Sequence, residues 1–147
     1  MLQFGLVDKL RTYCTANNIA FVYGNEDIQN AILGITGNVQ KPNVDVLFCM
    51  FDNVIDLKNG RISSLKYRGF IALGRHCETN TSSSIDETPL MKFDRRFQYL
   101  NTKLLTIIST ICCENELAIE GDLVLKEKLN MYDENIDTIG TDITFLH

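Results

Sequence analysis

Residues 90–113 read LMKFDRRFQYLNTKLLTIISTICC, and their large apolar residues return every three or four positions. Those residues are Leu90, Phe93, Phe97, Leu100, Leu104, Ile108 and Ile111. At about 100° per residue they form one narrow stripe, which is typical of a helix that packs on a core. Thr88 and Pro89 precede this stretch and suit the cap and the first position of such a helix. The stretch therefore predicts one long helix over about 90–113.

A second stripe on the same predicted helix is basic. It lies roughly 120° from the apolar stripe, and it carries Lys92, Arg95, Arg96, Tyr99 and Lys103. A solvated face is one explanation of this stripe. A contact with acidic residues of another molecule is the other, and the chain supplies such residues. From Ile111 onward there are two basic residues against nine acidic ones.

The segments that flank this helix predict a sheet. Residues 3–17 have the period of a helix, and Asn59-Gly60 is a strong hairpin signal. Gly69 indicates a bulge, Asp52-Asn53 an interruption, and Gly140 a break in the last strand. The predicted strands are 19–23, 44–57, 62–73, 116–120, 123–132 and 136–146, with a short helix in 25–33 and a loop in 34–43. This order predicts an α+β fold, a mainly antiparallel sheet packed against the long helix and the N-terminal helix.

Composition limits the class of protein. The 147 residues suit a single domain (1–147), and the Ser/Thr-rich stretch around 76–88 predicts a flexible loop or arm. With 45% apolar residues, 22% charged residues and a net charge of −5, the chain has the composition of an ordinary globular protein. No apolar run is long enough to span a membrane, and the first residues lack the pattern of a signal peptide. We therefore expect no membrane contact and a protein located in the cytoplasm or in a particle assembled there.

The five cysteines predict no disulfide framework. They are odd in number and show no CxxC spacing, which favours reduced thiols that act as small buried apolar groups. They are Cys14, Cys49, Cys77, Cys112 and Cys113.

Motifs that carry chemistry are missing from the sequence. There is no phosphate-binding GK[ST] loop, no GxSxG and no HExxH, so we predict no catalytic residue, cofactor or metal. Two alternatives stay open. One is an adaptor or regulatory module that binds another protein, and the other is a small metal-dependent hydrolase that uses Asp52, Asp56 or His76.

The uneven distribution of charge along the chain predicts self-association. A head-to-tail contact between two different patches closes into a ring when the rotation allows it. The basic stripe of one copy and the acidic C-terminal strands of the next are such patches. The predicted interface residues are Lys92, Arg95, Arg96, Lys103, Glu127, Asp133, Glu134 and Asp137.

Two stretches resemble the tail-completion proteins of tailed bacteriophages, a group that includes tail terminators and head-to-tail connectors of the neck. One is the helix opening Met91-Lys92-Phe93-Asp94-Arg95-Arg96 with Leu100 and Leu104, and the other is the ending 135–145, NIDTIGTDITF. The resemblance implies a structural virion protein of the neck or tail, a ring of hexamer or dodecamer type around the DNA channel. It also implies contacts with other neck or tail proteins, passage of DNA without specific binding, and assembly in the host cytoplasm. In such a ring, acidic residues near 133–137 are suited to lining the channel, where repulsion would let DNA slide.

Overall fold

The protein, seen in a computed structural model, is described at residues 5–25, 44–76, 90, 93–131 and 136–147. Within these ranges two α-helices and six strands follow one another. Their bounds are α1 Leu6–Ala16, β1 Ala20–Tyr23, β2 Asp45–Lys58, β3 Arg61–His76, a π-helical turn Phe93–Phe97, α2 Gln98–Asn115, β4 Ala118–Ile119, β5 Lys126–Met131 and β6 Ile136–Leu146. The predicted short helix of 25–33, the loops 34–43 and 76–88, and Cys77 lie almost wholly outside the described residues.

The strands form one mixed sheet. Its order is β1-β2-β3-β6-β4, and β5 also pairs with β6. Only the β1–β2 pair is parallel, whereas β2–β3, β3–β6, β4–β6 and β5–β6 are antiparallel. The prediction of an α+β fold with a mainly antiparallel sheet is therefore confirmed, and the sheet is the dominant part of the molecule.

The long hairpin β2–β3 turns where the sequence predicted it. Asn59 and Gly60 have φ of 53° and 73°, as the primed two-residue turns of hairpins require. The predicted irregularities, however, are wrong. The register of the hairpin shifts between Asp56 and Leu57, and it continues through Asp52-Asn53 and through Gly69. Gly69 has a different purpose, because a Cβ atom there would lie 1.9 Å from the backbone oxygen of Met50.

Gly140 does not break the last strand either. β6 runs without interruption from Ile136 to Leu146 and pairs with β3 along its whole length. A Cβ atom at Gly140 would lie 2.9 Å from the Cβ of Ala72 on the neighbouring strand. Glycine at this position therefore permits close packing inside the sheet.

The helix predicted over 90–113 differs in form from one uniform α-helix. It includes the π-helical turn Phe93–Phe97 before α2, and α2 continues to Asn115. Leu90 is exposed and does not belong to the core, while the residues of the predicted apolar stripe from Phe97 to Ile111 are buried as predicted. In place of a glycine cap, Glu116 ends α2 in the left-handed conformation with φ of 54°.

Both helices pack on one face of the sheet. The main core joins Leu6 and Leu10 of α1 and Leu100 and Leu104 of α2 with the sheet residues of that face. A smaller cluster of Val22, Val46, Phe48 and Ile136 is buried on the other face. Burial on both faces at the start of β2 is typical of a strand covered on both sides.

The buried thiols that the sequence predicted are found in this core. Cys14 and Cys49 are fully buried, and burial raises the pKa of the Cys14 thiol to about 12 and raises the pKa of Cys49 as well. Cys112 is partly buried and Cys113 is exposed, so the prediction of buried thiols holds for Cys14 and Cys49 and is wrong for Cys113.

Candidate functional site

Three charged side chains form a row across one end of the sheet. Asp45 opens β2, Arg75 is its register partner on β3, and Asp137 is the register partner of Arg75 on β6. Paired residues on adjacent strands point to the same face. The Nε atom of Arg75 donates to Oδ1 of Asp45 at 2.7 Å, and the Asp45 side chain is only 2% exposed. The row therefore places two carboxylates and a guanidinium beneath the start of α2.

The first turns of α2 complete the surroundings of Asp45. The hydroxyl of Tyr99 donates to Oδ2 of Asp45 at 2.8 Å, and the ammonium group of Lys103 donates to the same oxygen. Lys103 also donates to the Tyr99 hydroxyl at 3.0 Å. The guanidinium of Arg75 lies 4.8 Å from the centre of the Tyr99 ring, within cation–π range. One carboxylate thus joins two strands of the sheet to the helix above them.

The pKa shifts of Asp45 and Lys103 both favour the charged form. Burial raises the pKa of Asp45, but hydrogen bonds from Lys103, Arg75 and Tyr99 outweigh burial, and the net shift is downward. Burial lowers the pKa of Lys103, but the hydrogen bonds to Asp45 and Tyr99 outweigh it, and the net shift is upward. Both groups are therefore charged at neutral pH and are poor proton donors or acceptors there. The arrangement suits a fixed electrostatic clamp between helix and sheet.

Arg96 and Asp137 form a second ion pair in the same region. Nη1 of Arg96, in the π-helical turn, lies 3.1 Å from Oδ2 of Asp137, whose side chain is 0% exposed. An ion pair this deep holds the helix start against β6. Asp137 is therefore buried and paired within the protomer, and its predicted role in subunit contact stays a prediction.

The other predicted interface residues fall in several places. Lys103 is engaged with Asp45 as described above, so its charge also serves the protomer itself. Glu127 is exposed on β5, opposite Ile139 of β6. Lys92, Asp133 and Glu134 lie outside the described residues, as does the side chain of Arg95. For these residues and for Glu127 a role in subunit contact stays a prediction.

A second candidate site is the outer part of the β2–β3 hairpin. β1 pairs with β2 only as far as Cys49, and β6 pairs with β3 only from Lys66 onward. By register, residues 55–65 therefore extend beyond the other described strands. We call the segment 52–65, which contains them, the hairpin arm. Three of its aliphatic side chains are exposed: Ile55, Leu57 and Ile62.

The base of the hairpin arm is closed by a tyrosine. The Tyr23 hydroxyl donates to the backbone oxygen of Phe51 at 3.2 Å and accepts from the backbone N–H of Phe51 at 3.4 Å. Tyr23 thus satisfies the first backbone groups on the edge of β2 after β1 ends. Beyond it, in the part of the chain that the structure describes, no strand pairs with this edge of β2.

Sequence reasoning did not single out Asp45, Arg75 or the hairpin arm. The available signal for Asp45 and Arg75 was a charged residue at the end of each of two apolar strands. The signal for the arm was the length of the predicted hairpin compared with the short first strand. Neither signal shows which residues on other strands would be in contact, because these contacts depend on strand register and not on local sequence.

The alternative of a metal-dependent hydrolase requires ligand side chains that lie close together. Asp52 and Asp56 are both on β2, four residues apart, and at about 3.3 Å per residue their Cα atoms are separated by about 13 Å. Such a separation is too long for both carboxylates to ligate one ion directly. Across the described ranges, no three or more His, Cys, Asp and Glu side chains are grouped so that they could hold a metal ion.

Comparison with known proteins adds no relative. No protein-family model and no curated protein matches the chain. Among the described helices, none is long and apolar enough to cross a membrane.

Proposed function

We propose that this chain is a structural virion protein of a tailed-bacteriophage neck or tail, and that it assembles as a homo-oligomeric ring around the DNA channel. The observation that carries the proposal is the hairpin arm. The arm reaches past the rest of the described sheet and exposes Ile55, Leu57 and Ile62 to water. An isolated two-stranded hairpin is only marginally stable in water, so an arm of this kind gains stability when it packs against a neighbour.

The charge cluster supports a structural role in a second way. Asp45 and Lys103 hold their charges through mutual hydrogen bonds, and the pair fixes α2 on the sheet. A ring subunit transmits contacts from one neighbour to the other, and a rigid connection between helix and sheet serves that purpose. The phage assignment itself rests on the resemblance of residues 91–104 and 135–145 described above.

The test is the state of association of the purified protein. We expect a single closed oligomer in sedimentation and native mass spectrometry, and rings with a central opening in negative-stain images. A protein that stays monomeric at high concentration would overturn the proposal. A discrete complex with one unrelated protein, in place of a ring, would favour the adaptor alternative.

The basic stripe is not the best place to test the ring. Arg96 pairs with the fully buried Asp137, so Arg96→Glu would put two carboxylates together inside the protomer. Unfolding would then abolish assembly for a trivial reason. A sharper test needs charged residues on the surface that have no role in the protomer.

A further inference from the structure

The tip of the hairpin arm carries two matched pairs of side chains. Leu57 and Ile62 are register partners, and they are 66% and 49% exposed. Lys58 and Arg61 are the next register partners, and both are exposed. Because successive register pairs point to opposite faces of a hairpin, the tip presents the aliphatic pair on one face and the basic pair on the other, next to the tight turn at Asn59-Gly60.

A groove lies near the β4 edge of the sheet, between α2 and the chain that follows it. Its volume is about 610 Å³. Apolar residues from both elements line it, among them Leu105, Ile108, Cys112, Leu117, Ile119 and Leu123. Leu105 is substantially exposed, and Leu117, Ile119 and Leu123 are partly exposed. The groove is therefore an apolar surface of the protomer that is open to solvent.

Three acidic residues are next in sequence to residues that line this groove. Glu114 and Glu116 lie beside the lining residues Cys113 and Leu117, and Asp122 precedes the lining residue Leu123. All three are exposed, and within the described ranges none of them has an ion-pair partner. A basic and aliphatic ligand matches this combination of acidic rim and apolar floor.

The arm of the same protomer cannot fill the groove. Lys66, at the base of the arm, lies 3.4 Å from Glu120, next to the lining residue Ile119. Arg61 comes five residues before Lys66, at the turn end of β3. At about 3.3 Å per residue it lies about 17 Å from that base, toward the turn. The tip therefore extends away from its own groove, and its complement is the groove of another molecule.

We propose that the hairpin tip of one copy of this chain inserts into the acidic-rimmed groove of the next copy. The aliphatic face of the tip, Leu57 and Ile62, covers the apolar floor. The long side chains of Lys58 and Arg61, on the opposite face, reach up to the carboxylates of Glu114, Glu116 and Asp122 at the rim. The two patches differ, so the contact is head-to-tail, and it forms a ring when the rotation between copies closes. This inference rests on the proposed function, and it names the contact on which the ring would depend.

A charge-swap experiment tests the contact. Lys58→Glu/Arg61→Glu is expected to weaken self-association at least tenfold in sedimentation equilibrium, and Glu114→Lys/Glu116→Lys is expected to do the same. The chain that carries all four changes should assemble again, because the charges are then complementary in reverse. Lys9→Glu/Lys128→Glu is the matched control, since it makes the same change of charge at exposed residues away from the tip, and it should assemble as the wild type does.

A second pair of variants tests the apolar part. Leu57→Ser/Ile62→Ser should dissociate the oligomer, whereas Leu90→Ser, at another exposed leucine, should not. The thermal unfolding of each variant, measured on the dissociated protein, shows that it is still folded.

The outcomes separate this inference from the proposed function. If the wild type forms an oligomer that both charge reversals leave intact, the tip-to-groove contact is wrong and the ring proposal survives. If each reversal dissociates the oligomer but their combination does not restore it, the pairing of tip with rim is also wrong. If the wild type is monomeric, both proposals fail together.

Discussion

Asp45 and Arg75 are register partners on the two longest strands, and their side chains meet at 2.7 Å beneath the start of α2. Asp45 accepts further hydrogen bonds from Tyr99 and Lys103 of the helix. One buried carboxylate therefore connects the central hairpin to the helix that covers it. Because two cations converge on it, removal of its charge leaves both of them without their anion.

The variant Asp45→Asn tests the energetic weight of this contact. We expect a loss of about 3 kcal/mol in the free energy of unfolding, at the lower end of the range for breaking a buried ion pair, since Arg75 and Lys103 keep some access to water. Urea unfolding followed by circular dichroism measures it. Asp52→Asn, at an exposed position of the same strand, is the control and should change stability little. If Asp45→Asn lowered the free energy of unfolding no more than Asp52→Asn does, the cluster would make no net contribution to stability.

The same carboxylate predicts a dependence of stability on pH. The pKa of Asp45 in the folded protein lies below its ordinary value of 3.8. Its contribution is therefore complete above that value and is lost as pH falls through the folded-state pKa. The difference in unfolding free energy between the wild type and Asp45→Asn should be constant near neutral pH and should narrow in acid below about pH 4. A difference that stays constant down to pH of about 2 would contradict this assignment.

Local patterns in the sequence were sufficient to predict most of the secondary structure. The period of three and four identified the buried face from Phe97 to Ile111, and the Asn59-Gly60 pair located the hairpin turn. These features depend on neighbours in the chain. Gly69 and Gly140 were misread, because each is required by an atom of an adjacent strand, which a single strand's sequence does not reveal.

The charge row shows the same limit at the level of the site. The basic stripe of the helix was predicted, but Lys103 and Arg96 meet Asp45 and Asp137 of their own protomer. Whether a surface charge finds a partner within the chain depends on how the helix lies on the sheet, and periodicity fixes only the angle between its faces. The hairpin arm was missed for a related reason, since its exposure depends on where the neighbouring strands stop.

Gly69 offers a direct test of close strand approach. Gly69→Ala should cost about 3 kcal/mol or more, because the new Cβ would lie 1.9 Å from the backbone oxygen of Met50 and the hairpin would have to open. Gly121→Ala is the control. It has open space but a φ of 77°, so only the cost of a left-handed alanine, about 1 kcal/mol, is expected. Equal losses in chemical denaturation would argue that crowding at Gly69 is relieved without cost.

Tyr23 predicts a local effect at the base of the hairpin arm. Tyr23→Phe removes the hydroxyl that bonds both the N–H and the oxygen of Phe51. We expect a loss of about 1 kcal/mol in unfolding free energy, and faster hydrogen exchange at the Phe51 amide than at the amides of the β1–β2 pairing. Tyr13→Phe, which removes a hydroxyl from a partly buried tyrosine of α1, is the control and should leave exchange at Phe51 unchanged. Unaltered exchange at Phe51 in Tyr23→Phe would mean that the edge is protected by something other than this hydroxyl.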